Sequence, residues 1–254
     1  MRSVSALKLE QIDEQISQAG RSREPEVTFL KRVQPSGHRL GVFASSFNPV
    51  TCAHLELMQR AASQYALDEM LALAGTRNAD KTQYECPLNE RLQMLLLSTA
   101  EDPRLSVGLS SSAFFVDMVD AIGDCYRPAT AIYFIVGLDT FERILDPEDR
   151  YTASYHRQFR NRDDALAYLL ARCHLMVAGR KGRGAPELKA LMSREPEMSR
   201  VIPDGRVLFM DFPRDFSERS SSEVRERLHA ALSITGLVPP AAERYIQERG
   251  LYKK

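Results

Sequence analysis

Two short segments far apart in the chain carry the polar residues whose types and spacing suit chemistry on phosphates: Ser45-Ser46-Phe47-Asn48-Pro49-Val50-Thr51-Cys52-Ala53-His54 and Ser220-Ser221-Ser222-Glu223-Val224-Arg225. The first follows the apolar run Leu40–Ala44 and leads into a stretch with Leu55, Met58, Ala62 and Tyr65 at helical spacing, so it reads as strand, loop, helix. Such a loop suits phosphate. The first amides of a helix have no internal partner, and the helix dipole adds positive potential there. In the second segment Ser220 and Glu223 have the spacing of a capping box. A capped helix start still offers the amides of Ser222 and Glu223, and the Arg225 guanidinium, to phosphate oxygens. Together the segments read as two halves of a site for nucleotidyl transfer.

At these residues the sequence resembles the nicotinamide mononucleotide (NMN)/nicotinate mononucleotide adenylyltransferases of the cytidylyltransferase-like superfamily. Ser46-Phe47-Asn48-Pro49, Thr51 and His54 match that family's first motif, and Ser220-Ser221-Ser222 with Val224-Arg225 match its second. Further agreement lies in Gly137-Leu138-Asp139, in Val177-Ala178-Gly179-Arg180, and in Pro239 through Tyr245-Ile246 to Leu251-Tyr252. The resemblance runs from about Leu40 to Tyr252. It is nearest to a fungal-type NMN adenylyltransferase branch, which shares Ser-Ser-Phe-Asn-Pro, an Asn-x-Asp-Lys loop like Asn78-Ala79-Asp80-Lys81, and Ser-Ser-Ser-Glu. Two positions depart from the common pattern. Ser45 stands where the family has Gly, and its Cβ would narrow the approach of a ligand to the backbone; Thr51 stands where bacterial members have His and eukaryotic ones Thr.

The resemblance implies attack of a mononucleotide 5′-phosphate on the α-phosphorus of ATP, giving NAD and pyrophosphate. The nucleophile is already anionic, so positioning, fixed donors and Mg²⁺ accompanying ATP supply the catalysis; no protein metal site is expected. His54, with Thr51, Lys81 and Arg225, would be catalytic. Ser46, Phe47, His54, Gly137, Asp139, Ser221, Ser222, Glu223 and Arg225 would hold ATP. Ser45, Ser46, Lys81, Phe115 and Arg180 would hold the mononucleotide. Several of these residues also have a plainer reading: His54 as a helix cap, Asp139 as the N-cap of a Thr140–Leu145 helix, Phe115 as core, Lys81 and Arg180 as surface charges; Arg91, a further phosphate candidate, likewise reads as a surface charge. Ser110, Ser111 and Ser112 flank the Phe114-Phe115 pair with no Lys or Arg before Arg127, which favours the neutral amide over the acid. Two alternatives stay open: transfer to another phosphate substrate within the superfamily, and a nucleotide-binding protein with a weak ATPase or sensor role.

Positioning these residues requires a sheet. Strand runs are Leu40–Ala44, Met70–Ala74, Leu105–Leu109, Ala131–Val136, Leu175–Ala178 and Val207–Phe212, with helical patterns between them such as Leu88–Ala100 after Pro87. Alternation of this kind predicts an α/β fold, a doubly wound, mainly parallel Rossmann-like sheet with helices on both faces and ligands beyond the strands' carboxyl ends. Residues 1–38 read as an N-terminal helix, with Leu9, Ile12, Ile16 and Ala19 on one face, followed by a linker over Gly20–Gly37; residues 39–254 read as the nucleotidyltransferase domain. The helix would dock on the core or on a partner, which leaves a homo-oligomer open. The polar stretch Asp146–Asp164 reads as a solvated insertion or a lid.

With 254 residues, 44% of them hydrophobic, the chain can bury one substantial core. Its 34 basic and 34 acidic residues cancel, leaving no field for nonspecific nucleic-acid binding. The four cysteines lack Cys-x-x-Cys spacing and read as reduced thiols. No apolar run approaches the ~20 residues of a membrane span, and the first 20 residues lack a signal-peptide centre. A cytoplasmic location, with the nucleus also open, is the expectation.

Overall fold

The apolar runs become strands because both faces of the sheet are covered, and their side chains alternate between two cores. In β2 (Arg39–Ala44) Leu40 and Val42 enter one core while Phe43 enters the other; β5 (Ala131–Gly137) sends Ile132, Phe134 and Val136 one way, Tyr133 and Ile135 the other. The computed structural model describes residues 8–33, 37–77, 84–179, 184–193, 201–212 and 220–253. Its other strands are β1 (Val27–Lys31), β3 (Glu69–Gly75), β4 (Leu105–Ser110), β6 (Cys173–Ala178) and β7 (Val207–Met210). They form a seven-stranded sheet in the order β1-β4-β3-β2-β5-β6-β7, parallel except for β1.

One layer packs α1 (Leu9–Arg21), α2 (Cys52–Gln64) and α3 (Leu88–Thr99) with the C-terminal helices α8 (Ser221–His229) and α9 (Pro240–Arg249). The other packs α4 (Phe115–Cys125), α5 (Leu138–Leu145), α6 (Arg162–Arg172) and α7 (Ala185–Ser193). This is the expected doubly wound α/β fold, with every expected strand present. Val207–Phe212 ends as a strand at Met210. Strand order reverses at β2, whose neighbours are β3 and β5, so the crevice for a ligand opens at the carboxyl ends of β2 and β5. No helix among the described residues is long and apolar enough to cross a membrane.

The stretch read as linker contains β1, which pairs antiparallel with β4 (Val27 opposite Ser110) and is half-buried. Val27-Thr28-Phe29 has strand propensity, but Pro25 and the surrounding charges obscure so short a run. Ahead of it α1 docks on α3 through the predicted face, with Ile12 and Ala19 buried and Ile16 packed beside them. Ile12→Ala removes a fully buried side chain and is expected to cost about 2–5 kcal/mol. Urea denaturation checks this, and a loss below ~1 kcal/mol would detach α1 from the core.

Candidate functional site

The loop after β2 is held almost entirely through its carbonyl oxygens. Ser45 N donates to Leu73 O on the neighbouring strand (3.0 Å). Beyond it Phe47 turns through a left-handed conformation (φ 44°) and buries its ring beside Phe43 and His54, and the Asn48–Pro49 peptide is cis. Arg91 Nη1 donates to Ser46 O, Arg225 Nη1 to Asn48 O (2.6 Å), and Ser221 Oγ to Pro49 O (2.8 Å). Tyr252 OH donates to Asn48 Oδ1 (2.8 Å). The two sequence segments therefore meet, as expected. Positive φ falls on Phe47 and not on Ser45, so a serine in the family's glycine position carries no left-handed strain.

Thr51 N-caps α2. Its Oγ1 accepts from His54 N (3.3 Å), and His54 Nδ1 accepts from Thr51 N (3.0 Å). An imidazole nitrogen that accepts carries no proton, so the ring's hydrogen sits on Nε2, and His54 is a donor there. Capping and catalysis, posed as alternatives for this residue, are compatible: the cap fixes the tautomer. Cys52 N is engaged by Leu237 O (2.9 Å) and His54 N by Thr51, so this helix start presents the His54 ring more than its amides.

At α8, Ser220 Oγ accepts from Glu223 N (3.2 Å), the forward half of the expected capping box, which takes one of the two amides expected for phosphate. The amides of Ser221 and Ser222 lie ahead of it. Arg225 bridges Asn48 O and Ser222 Oγ (3.2 Å), with Glu85 3.6 Å from its Nε.

α3 anchors the opposite side. Arg91, a weak phosphate candidate in the sequence, is 4% exposed, donates to Ser46 O and Cys86 O, and lies 4.2 Å from the Tyr84 ring centroid. Burial pulls its pKa down. It is a brace for the loop and not a surface cation. Its neighbour Glu90 accepts from Tyr245 OH (2.6 Å) and Arg249 Nη2 (2.7 Å), which fixes α9 so that Tyr252 reaches Asn48.

A cavity of about 310 Å³ opens beside the same loop. Ser45, Ser46, Gly75, Arg77 and Tyr84 form one wall, and Phe114, Phe115, Thr140, Arg143, Tyr151 and Tyr155 the other. Phe114 meets Tyr155 edge-on (5.2 Å) and Tyr151 at a tilt (5.9 Å), while Phe115 lines the cavity and packs edge-on against buried Phe134 (5.1 Å). His54, Arg225 and Asp139 do not line this cavity. Ser45 and Ser46 thus belong both to this cavity wall and to the loop braced by Arg91 and Arg225.

Asp139 is exposed at the second position of α5, which begins at Leu138 with Gly137 as N-cap; the predicted Asp139 cap does not form. Space beside Gly137 is open, since a Cβ there would touch nothing within 4 Å. The Asp146–Asp164 stretch is not simply solvated. Fully buried Asp146 accepts from the amides of Arg150 (3.0 Å) and Tyr151 (2.9 Å). Asp117, also buried, accepts from Ser112 Oγ (2.8 Å) and His156 N (3.0 Å). Burial pushes the Asp117 carboxyl up, and those two hydrogen bonds pull it back. The stretch is thus a packed cavity wall with its own short helical turn at Thr152–Ser154. The Asn78–Lys81 loop, Lys81 and Arg180 lie outside the described residues.

Sequence reasoning missed Tyr252 as a loop anchor, the Glu85 contact with Arg225, and Arg77 and Arg143 as cavity walls, while Tyr151 and Tyr155 fall in the stretch read as an insertion or a lid. The Leu251-Tyr252 match was the one usable signal.

A cytidylyltransferase-like family model matches residues 42–227. A probable nicotinate-nucleotide adenylyltransferase from Moorella thermoacetica is 29% identical over 221 residues, covering 85% of this chain and 92% of that protein. A probable nicotinate-nucleotide adenylyltransferase from Geobacter sulfurreducens is 29% identical over 231 residues, covering 84% and 98%. Among solved structures, Plasmodium falciparum nicotinic acid mononucleotide adenylyltransferase complexed with NaAD superposes with a TM-score of 0.58 at 16% identity over 85% of this chain and 98% of that one, a likeness of fold.

Tyr252→Phe strips the donor from the buried Asn48 side chain. Leaving that acceptor unmet is expected to cost about 1–3 kcal/mol, read by urea denaturation; an unchanged midpoint would show that the loop does not depend on this contact.

Proposed function

The chain belongs to the cytidylyltransferase-like family, and within it we propose an adenylyltransferase that joins ATP to a pyridine mononucleotide, giving the dinucleotide and pyrophosphate. The observation that carries this reading is the junction of the two segments: the His54 donor and the Arg225–Ser222 pair adjoin a loop whose Ser45 and Ser46 also line a cavity of about 310 Å³. In-line transfer needs two polyanions held on either side of one phosphorus, and a shared loop supplies that.

In this reading His54 Nε2–H donates to an α-phosphate oxygen as its charge rises, with Thr51 holding the tautomer. Arg225 and the amides of Ser221 and Ser222 meet the β- and γ-phosphates. Glu223 acts through its cap on Ser220, Ser46 and Phe47 shape the adenylate side, and Asp139 beside open Gly137 meets the ribose hydroxyls. Lys81 and Arg180 keep their proposed phosphate roles. Mg²⁺ would arrive on ATP, held by phosphate oxygens; among the described residues no three His, Cys, Asp or Glu side chains converge on one point.

For the acceptor we take NMN, in keeping with the fungal-type resemblance. Ser110 and Ser112 satisfy one another and Asp117, and Ser111 bonds Glu24 O, so these serines do not face the ring. The cavity wall of hydroxyls and aromatic rings would suit a cationic pyridinium, which both mononucleotides carry, so the choice of NMN rests on the resemblance. Two exposed guanidiniums, Arg77 and Arg143, suffice for the 5′-phosphate. A second reading, nicotinate mononucleotide as acceptor, is favoured by the names of the bacterial relatives and by those same arginines serving a carboxylate.

Incubation with ATP, Mg²⁺ and either mononucleotide should release pyrophosphate and dinucleotide; hydrolysis of ATP alone would replace this reading with the ATPase or sensor alternative. The kcat/KM ratio for NMN over nicotinate mononucleotide is expected above one, and a ratio below one selects the acid. His54→Ala should lower kcat by about 10²–10³-fold, or ~2.7–4 kcal/mol, as for a lost oxyanion donor, with smaller change in ATP binding. Arg225→Lys keeps the charge but loses the fork, so KM for ATP should rise; an unchanged KM would confine Arg225 to holding Asn48.

A further inference from the structure

We propose that Glu85 gates the phosphate subsite, holding Arg225 until a polyphosphate displaces it; this rests on the reading that Arg225 meets the phosphates of ATP. Glu85 lies on the segment entering α3, and its carboxylate accepts from His229 Nε2 and sits 3.6 Å from Arg225 Nε. Arg225 and His229 are one turn apart on α8, so a single carboxylate from another element closes over the helix face that carries the phosphate-binding guanidinium.

The pair is built to be broken. Side-chain exposures of 36% for Glu85 and 23% for Arg225 put it in partial contact with water, where ion pairs are weak. Orientation of Arg225 does not depend on Glu85, because Asn48 O and Ser222 Oγ fix its other donors. What Glu85 adds is therefore a competing anion. A triphosphate repels it and offers Arg225 more negative charge, while a weakly charged ligand cannot displace it. Glu85 follows Tyr84, a wall residue of the cavity, so the carboxylate is carried next to that wall in the chain.

The test measures binding of α,β-methylene-ATP to the full chain by calorimetry, with KM for ATP alongside. Glu85→Gln keeps the shape and removes the charge, and should bind the analogue about three- to fivefold tighter with a matching fall in KM. Glu85→Asp keeps the charge and should stay near wild type. Unchanged or weaker binding by Glu85→Gln overturns the gate, and so does equal tightening in both variants, which marks a structural effect. A wild-type chain that binds the analogue yet forms no dinucleotide counts against the transfer reading alone, because the gate is judged by the ratio of affinities.

Discussion

The structure turns on one constraint: the carbonyl oxygens of Ser46, Asn48 and Pro49 must all be met, because the loop that carries them runs partly buried between helices. Arg91 from α3 and Arg225 and Ser221 from α8 each supply a donor to one of them, and Tyr252 beyond α9 supplies one to the Asn48 side chain. With its acceptors engaged, the loop keeps one shape, and the left-handed Phe47 and capped Thr51 follow from that shape. The order of the functional groups is thus a by-product of satisfying backbone polarity.

This arrangement explains why charged residues lie so deep. A buried arginine without a carboxylate partner costs free energy unless its hydrogen bonds are met. Arg91 meets them with two carbonyls and an aromatic face. Glu90, one residue earlier on α3, points the other way and ties down α9 through Tyr245 and Arg249. Two adjacent side chains of opposite charge therefore brace the loop and the element that clasps it, without pairing with each other.

The fold was legible because the chemistry of a covered parallel sheet is written in consecutive apolar residues, and runs such as Leu40–Ala44 and Ala131–Val136 have few other uses. β1 escaped because an edge strand half in water needs only a short run. The two polar segments were legible through their capping residues, and their meeting was legible only through resemblance. Positions that work by distant contact left little trace: Tyr252 reads as one more C-terminal aromatic, and Arg91 as a surface charge on an amphipathic helix. The wall at Tyr151–Tyr155 was obscured because its charges, Asp146 above all, are spent on backbone amides inside the stretch, which composition alone reports as solvation.

The clasp between Tyr252 and Asn48 spans 204 residues of sequence. On a ribosome, β2 and its loop emerge long before the residue that completes them. At common elongation rates the interval is about 10–40 s. Through that time the Asn48 side-chain oxygen depends on water, so the loop after the central strand is among the last parts of the crevice to be completed.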